Sequence, residues 1–491
     1  MVPKFDRIVV VGGGSAGWMT ATAIATGLRG RSTVAVVESE EIGIIGVGEA
    51  TFPSIREYNR LVGIDEREFL RATNGTYKLG IRFCDWLERG RDYFHTFGHF
   101  GNLFGSQTLW AQHRRVGLDE PLGLQCVPTV MAMKGRFVLP DEDNAQFKYA
   151  YHFDAVQYAA FLRRLAIERG ARHTTGRIVD VVRRDDGGVA ALVLADGRRI
   201  EGDLFIDCSG FGSLLLGRTL DEPFVDYSHW LPVDSAWACP CERAGDELTP
   251  YTRATALEGG WAWRIPLQSR TGHGHVFSSR FIDADRAREQ LMAQLDGPPV
   301  AEPRLLRFAT GHRRRFWVHN VVAVGLSSGF LEPLESTSIY LVQDGIGRLM
   351  TLLTSGRPLV ASDREDYNEG AVRRFARIRD FIILHYCLTR RRDSALWRHV
   401  ASMELPETLA FKLDAWRRHG LLHQADEEGF DATSWLAVLA GMDHWPERDD
   451  PVHAEVPFDR AVRALASRRD GIAATVERLP AHHRTLQQVL R

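Results

Sequence analysis

The sequence predicts an α/β fold in which a parallel-sheet domain is assembled from separated segments, carries a β-meander, and is followed by a helical carboxy-terminal region. Three observations predict it. A strand, a glycine-rich turn and a helix open the chain. Short β-branched runs broken by Asp-Gly turns fill residues 178–210. From about residue 340 onward, apolar residues recur at helical spacing.

Each element follows in order. Arg7–Val11 is apolar and β-branched, a glycine turn follows, the pattern predicts a helix over 15–26, and Thr33–Glu38 reads as a second strand, so the unit is βαβ. IVDVVRRDDGGVAALVLADGRRIEGDLFIDCSG then alternates strand runs with Asp-Asp-Gly-Gly and Ala-Asp-Gly turns and ends in an apolar strand running into Cys208-Ser209-Gly210. A strand over 320–324 meets a glycine-bearing loop and a helix beginning near Glu335. The sheet domain is therefore discontinuous. RRFARIRDFIILHYCLTRR and PETLAFKLDAWRRHG carry helical spacing, so residues 1–340 are expected to form a core with substrate-side insertions and residues 341–491 a mainly helical region that binds substrate.

Composition narrows the class. At 491 residues, 44% of them hydrophobic and 25% charged, the chain can bury more than one core. Its 61 basic and 63 acidic residues nearly cancel, and no basic run interleaves with aromatics, which argues against nucleic acid as a partner. MVPKFDRIVVVGGG enters a strand without the long apolar stretch of a signal peptide, and no apolar run is long enough for a bilayer, so a cytoplasmic protein without a membrane partner is expected. Six cysteines, at 84, 126, 208, 239, 241 and 387, are too few for a disulfide framework in a chain of this size. Cys239 and Cys241 flank Pro240 without a second Cys or His pair at zinc spacing, so no metal is expected. Only Lys4, Lys78, Lys134, Lys148 and Lys412 are lysine; every other basic side chain is arginine.

Gly12, Gly14 and Gly17 in VVVGGGSAGWMTA form GxGxxG between strand and helix, with Ser15 and Ala16 in the same turn. Glu38 ends the following strand, where an acid accepts ribose hydroxyls and disfavours a 2'-phosphorylated cofactor. The later return of the chain in DLFIDCSGFG is the arrangement of flavoproteins of the aromatic-hydroxylase type, so FAD is preferred over NAD.

Further along, ordered motifs resemble the flavin-dependent tryptophan halogenases. GVGEAT at 46–51 matches that family's strap over the flavin, and the resemblance puts Ala50, Val179, Leu326 and Ile339 at the cofactor. TYKLGIRF places Lys78 on the family's catalytic lysine, and the amine suits that role because it can lose its proton on burial whereas guanidinium cannot. GWAWRIPL matches WxWxIP; alternation on a strand puts Trp261 and Trp263 on one face, and in the family they keep organic substrate from the flavin. GLSSGFLEPLESTSIYLV places Glu335 on the catalytic glutamate, and Thr337 and Ser338 on the halide-binding pair, beside a helix start whose amides can hold a small anion. The family usually has glycine where this chain has Ser338; the backbone amide survives that change, and the size of the halide site and the choice between chloride and bromide are what it affects.

The resemblance implies a halogenase in which reduced FAD, oxygen and chloride or bromide give hypohalous acid. The acid travels through an interior tunnel to Lys78, and Glu335 orients it and accepts the ring proton. A separate reductase would supply the reduced flavin, and a homodimer is compatible with the reading. FHTFG gives His95 and Phe97 as the aromatic sandwich around an indole ring. Where tryptophan-specific members keep a tyrosine pair, FDATSWLAVLAGM has Trp435 and Leu436, which adds indole, a substituted indole or a larger tryptophan-containing molecule to free tryptophan as substrates. Two other readings stay open at this point: an aromatic hydroxylase on the same fold, and a flavin-binding protein without catalysis.

Overall fold

A computed structural model describes residues 5–39, 48–101, 103, 109–141, 146–245, 248–448 and 451–491; Lys4, and Gly46 and Val47 of the strap motif, lie outside the described residues. The chain forms two compact units, one of residues 1–75, 153–232 and 307–376, the other of residues 76–152, 233–306 and 377–491.

The first unit is organised by a six-stranded sheet in the order Trp317–Val318, Val321–Ala323, Leu204–Asp207, Arg7–Val11, Thr33–Glu38, Arg172–Thr175. Arg7–Val11 pairs in parallel with both Thr33–Glu38 and Leu204–Asp207. The expected βαβ unit is present, with its helix at Ser15–Gly27. The meander is a separate antiparallel sheet of Ile178–Arg183, Val189–Leu194 and Arg199–Glu201. Val9, Val11, Val37, Leu192, Phe205 and Leu216 close a core there, which is why these strands read as near-continuous apolar runs.

Two boundaries differ from expectation. The strand expected over 320–324 is Val321–Ala323, and the helix expected near Glu335 begins at Ser338. Ser336, with φ of 60°, is left-handed and holds the preceding turn out of the helix, a conformation that spacing alone does not reveal.

The second unit carries a seven-stranded sheet in the order Arg304–Arg307, Ser235–Cys241, Thr271–Phe277, Gly260–Pro266, Thr252–Ala256, Gly80–Cys84, Asp92–Thr96. The short Thr76–Lys78 strand pairs antiparallel with Ala150–Asp154, setting Thr76 opposite His152 and Lys78 opposite Ala150. After Phe330 the regular elements are helical, including Glu407–His419, Ala432–Gly441 and Phe458–Glu477, as the apolar spacing predicts. All six cysteines are free.

Candidate active site

In the first unit the glycine turn has the shape a pyrophosphate requires. A Cβ on Gly12 would lie 2.2 Å from the carbonyl oxygen of Cys208, and one on Gly17 would lie 1.9 Å from that of Gly12, so both positions are closed by backbone. At Gly14 a Cβ would meet nothing within 4 Å. Gly14 caps the Ser15–Gly27 helix without a side-chain hydrogen bond, leaving the first amides, Ser15 and Ala16 among them, facing the open side of the turn. The Glu38 carboxylate reaches back over Gly13, and its other oxygen lies 2.7 Å from His173 Nε2 and 3.7 Å from Arg163. These residues fit FAD: open backbone for the diphosphate and a half-buried acid at the strand end for the ribose.

The segment that returns to this turn is tied down by polar side chains. Asp207, fully buried, accepts hydrogen bonds from Ser209 N and Oγ and from the amides of Leu215 and Leu216. Ser327 donates its hydroxyl to the Asp207 carbonyl, and Ser213 donates to Ser327 O at 2.9 Å. Gly325 is left-handed and so close to the turn that a Cβ there would come within 2.8 Å of Ala16 Cβ. Leu326 and Ile339 thereby belong to the same unit as Gly12–Gly17; Leu326 is half-buried and Ile339 buried. Ala50 is buried in the Gly48–Ala50 strand, and Val179 is exposed on the meander. Two carboxylates escaped the sequence reading. Burial pushes Glu49, the neighbour of Ala50, up to about 7, and Glu332 is fully buried three residues before Glu335.

Glu335 itself is buried, as is Thr337. Thr337 caps the Ser338–Thr354 helix in a helical conformation, and its side chain accepts no capping bond; its hydroxyl is buried with no hydrogen-bond partner among the described residues. A hydroxyl of that kind is costly unless something else takes its proton. A halide resting on the Thr337 hydroxyl and the first amides of the helix, Ser338 included, would satisfy both at once without a positive side chain.

In the second unit Lys78 is fully buried. Its ammonium lies 5.3 Å from the centre of the Phe97 ring, and Phe97 N donates to the carbonyl of Leu79 at 2.8 Å. His95 is buried two residues before Phe97, their rings 6.5 Å apart and steeply inclined. The structure thus brings Lys78, Phe97 and His95 together. Behind His95 come Phe381 at 5.6 Å and Phe430 at 6.0 Å, and Trp435 packs edge-on against Phe381 at 5.1 Å. Trp435 and Leu436 are both buried, and the Trp435 indole N–H has no hydrogen-bond partner among the described residues. Trp261 and Trp263 lie on one face of Gly260–Pro266 as alternation requires, ring centres 6.3 Å apart. Lys78 stands in the second unit and Glu335 in the first.

A dinucleotide turn, a buried lysine against aromatic rings and a buried hydroxyl at a helix start are what the sequence motifs anticipate, and the family model described as tryptophan halogenase matches residues 7–458. The chain belongs to the tryptophan halogenase family. It is, accordingly, a flavin-dependent halogenase, and the resemblance to tryptophan halogenases read from its motifs holds. Solved structures agree. BrvH, a flavin-dependent halogenase from Brevundimonas sp. BAL3, is 41% identical with a TM-score of 0.95, over 99% of each chain. Xcc4156, a flavin-dependent halogenase from Xanthomonas campestris, is 44% identical with a TM-score of 0.94, over 99% of each chain. Tryptophan 6-halogenase SttH of Streptomyces toxytricini is 33% identical, over 97% of each chain. The α/β flavin-binding fold is borne out with them, and the hydroxylase and non-catalytic readings are not favoured.

Among the described residues, no group of three His, Cys, Asp or Glu side chains is placed to hold a metal ion, and no helix is long and apolar enough to cross a membrane.

Proposed function

We propose that this halogenase chlorinates or brominates an indole, with Lys78 and Glu335 as its catalytic residues. Reduced FAD, when bound at Gly12, Gly14 and Gly17 with Glu38 on the ribose, supplies the electrons with which oxygen converts halide to hypohalous acid. Ala50, Val179, Leu326 and Ile339 line that cofactor. Thr337 and the amide of Ser338 hold the halide, the unsatisfied hydroxyl of Thr337 being the support for that assignment. Trp261 and Trp263 keep the organic substrate away from the flavin. Lys78 presents the electrophilic halogen, His95 and Phe97 hold the ring, and Glu335 takes the proton released on substitution.

The observation that carries the indole reading is the wall around His95. Phe381, Phe430 and Trp435 are apolar or offer only an N–H, whereas the zwitterion of free tryptophan needs acceptors for its ammonium as well as donors for its carboxylate. An indole or substituted indole, or an indole side chain presented by a larger molecule, makes no such demand on that wall. The helices after residue 340 supply most of it, which supports assigning them to substrate binding. The same reading makes the enzyme cytoplasmic and free of metal, with reduced flavin delivered by a separate reductase, and is compatible with a homodimer.

Competition tests the substrate reading. With protein, FAD, a flavin reductase, NADH and bromide, equal concentrations of indole and tryptophan should give mainly bromoindole by mass spectrometry. Bromotryptophan as the dominant product would overturn it.

A further inference from the structure

The strand that carries Lys78 is held by a hydrogen-bonded chain that none of the family motifs describes. Thr76 lies two residues before Lys78, so the two side chains share one face of the strand, and His152 stands directly opposite Thr76. Thr76, Lys78 and His152 are all fully buried. Thr76 Oγ1 donates to the carbonyl oxygen of Pro266 at 2.7 Å, which commits its only proton. The contact of 3.1 Å between Thr76 Oγ1 and His152 Nδ1 must then have nitrogen as donor. That leaves Nε2 without a proton, and it accepts from the Thr252 hydroxyl at 3.0 Å. The bonds run in one direction, from Thr252 through a neutral His152 and Thr76 to Pro266. Pro266 is the proline of WxWxIP, and Thr252 starts the neighbouring strand of the seven-stranded sheet.

A second neutral imidazole grips the same strand. His482 Nε2 accepts the backbone N–H of Tyr77 at 3.2 Å, while its Nδ1 donates to the carbonyl oxygen of Leu248 at 3.0 Å. Burial pulls both imidazoles below their ordinary range, His482 to about 4, with the charge of Lys78 adding to the effect at His152. A cation at 152 would share a buried strand face with the Lys78 ammonium, a cost that a neutral ring avoids.

We propose that His152 is a positioning residue for Lys78: through Thr76 and Pro266 it locks the lysine strand to the tryptophan-motif strand. The lysine amine is thereby held where it can hand halogen to the ring. The proposal rests on the reading of Lys78 as the halogen-directing amine. An amine at the end of four methylenes delivers to one ring carbon only if its backbone is fixed, and displacements of an ångström are enough to disrupt such geometry. His152 touches no reacting atom, so its loss should leave hypohalous acid formation intact and reduce the share that reaches indole.

The test partitions hypohalous acid between indole and a freely diffusing scavenger such as monochlorodimedone, with total acid taken as the sum of the two products. His152→Leu should keep FAD binding and total acid near wild type while the share delivered to indole falls about tenfold or more. His152→Asn, whose amide nitrogen can take the place of Nδ1 and donate to Thr76, should recover most of that share. Thr76→Val, which keeps the shape and removes the link, should lose it as His152→Leu does, and this variant decides the matter if His152→Leu fails to fold. An unchanged indole share in His152→Leu or Thr76→Val would overturn the proposal, as would a His152→Asn as poor as the Leu variant. Lys78→Ala run alongside separates the two readings: if it too delivers a normal share to indole, the role of Lys78 itself fails.

Discussion

Of the four lysines among the described residues two are buried, Lys78 at 0% exposure and Lys412 at 5%, and their surroundings differ in kind. Lys412 is ion-paired with Glu428 and lies 4.0 Å from the centre of the Trp435 ring. Burial still pulls its pKa below the ordinary lysine value, against the opposing pull of Glu428. Lys78 lies on an aromatic ring and on a strand face whose other occupants, Thr76 and His152, are neutral. Burial of an amine is therefore not by itself a mark of catalysis. Lys412 is thus held as a structural cation by its carboxylate, whereas Thr76 and His152 on the strand face of Lys78 add no second charge to it.

Substitution of the two lysines should break the comparison most sharply. Lys78→Ala is expected to abolish halogenated indole while FAD binds as before, measured by product mass spectrometry and flavin fluorescence titration. Lys412→Met should do the opposite: keep catalysis and lose about 1.5–3 kcal/mol of stability in denaturant unfolding, because the largely buried Glu428 carboxylate loses the ammonium that donates to it. Adding Glu428→Gln to Lys412→Met should restore much of that loss. Equal loss of activity in the two single variants would erase the distinction between the lysines.

Glu335→Gln comes next. It keeps the shape and removes the base, and should lower the rate of halogenation about a hundredfold to ten-thousandfold without weakening FAD binding. A rate within a fewfold of wild type would move the ring proton to another acceptor, with Glu332 the first residue to examine.

The smallest expected effect is on pH and stability, and it follows from the neutral histidines of the second unit. His275 and His482 fall from an ordinary 6.5 to about 4 through burial, and His152 is lowered for the same cause. As pH drops below about 6.5 the unfolded chain takes up these protons first, and the folded chain follows only near 4. Their contribution to stability is thus complete above about 6.5 and is lost as pH falls toward 4. Thermal midpoints should decline over that range, and the single variants His275→Gln and His482→Gln should each flatten the decline. An unchanged slope in both would mean that other groups dominate.

How much of this was legible in the sequence depends on the range over which each feature is built. The glycine turn, the βαβ unit, the tryptophan pair and the lysine all lie in local patterns whose spacing is set by a strand or a turn, and the structure repeats them almost residue for residue. The start of the Ser338–Thr354 helix was placed too early because a left-handed serine carries no spacing signal. His152, Thr252 and Pro266 lie 76, 176 and 190 positions after Thr76, and only the pairing of distant strands joins them. Nor does any local pattern distinguish Lys412 from a surface lysine; its partner Glu428 lies beyond the helix that carries it.

The measurement that tests the central claim most directly is mass spectrometry of indole incubated with the protein, FAD, a flavin reductase, NADH and bromide, with Lys78→Ala in parallel. The account predicts a bromine isotope pair on indole that requires the wild-type protein and disappears in the variant. Indole heavier by one oxygen, or bromoindole formed equally well by Lys78→Ala, would contradict it.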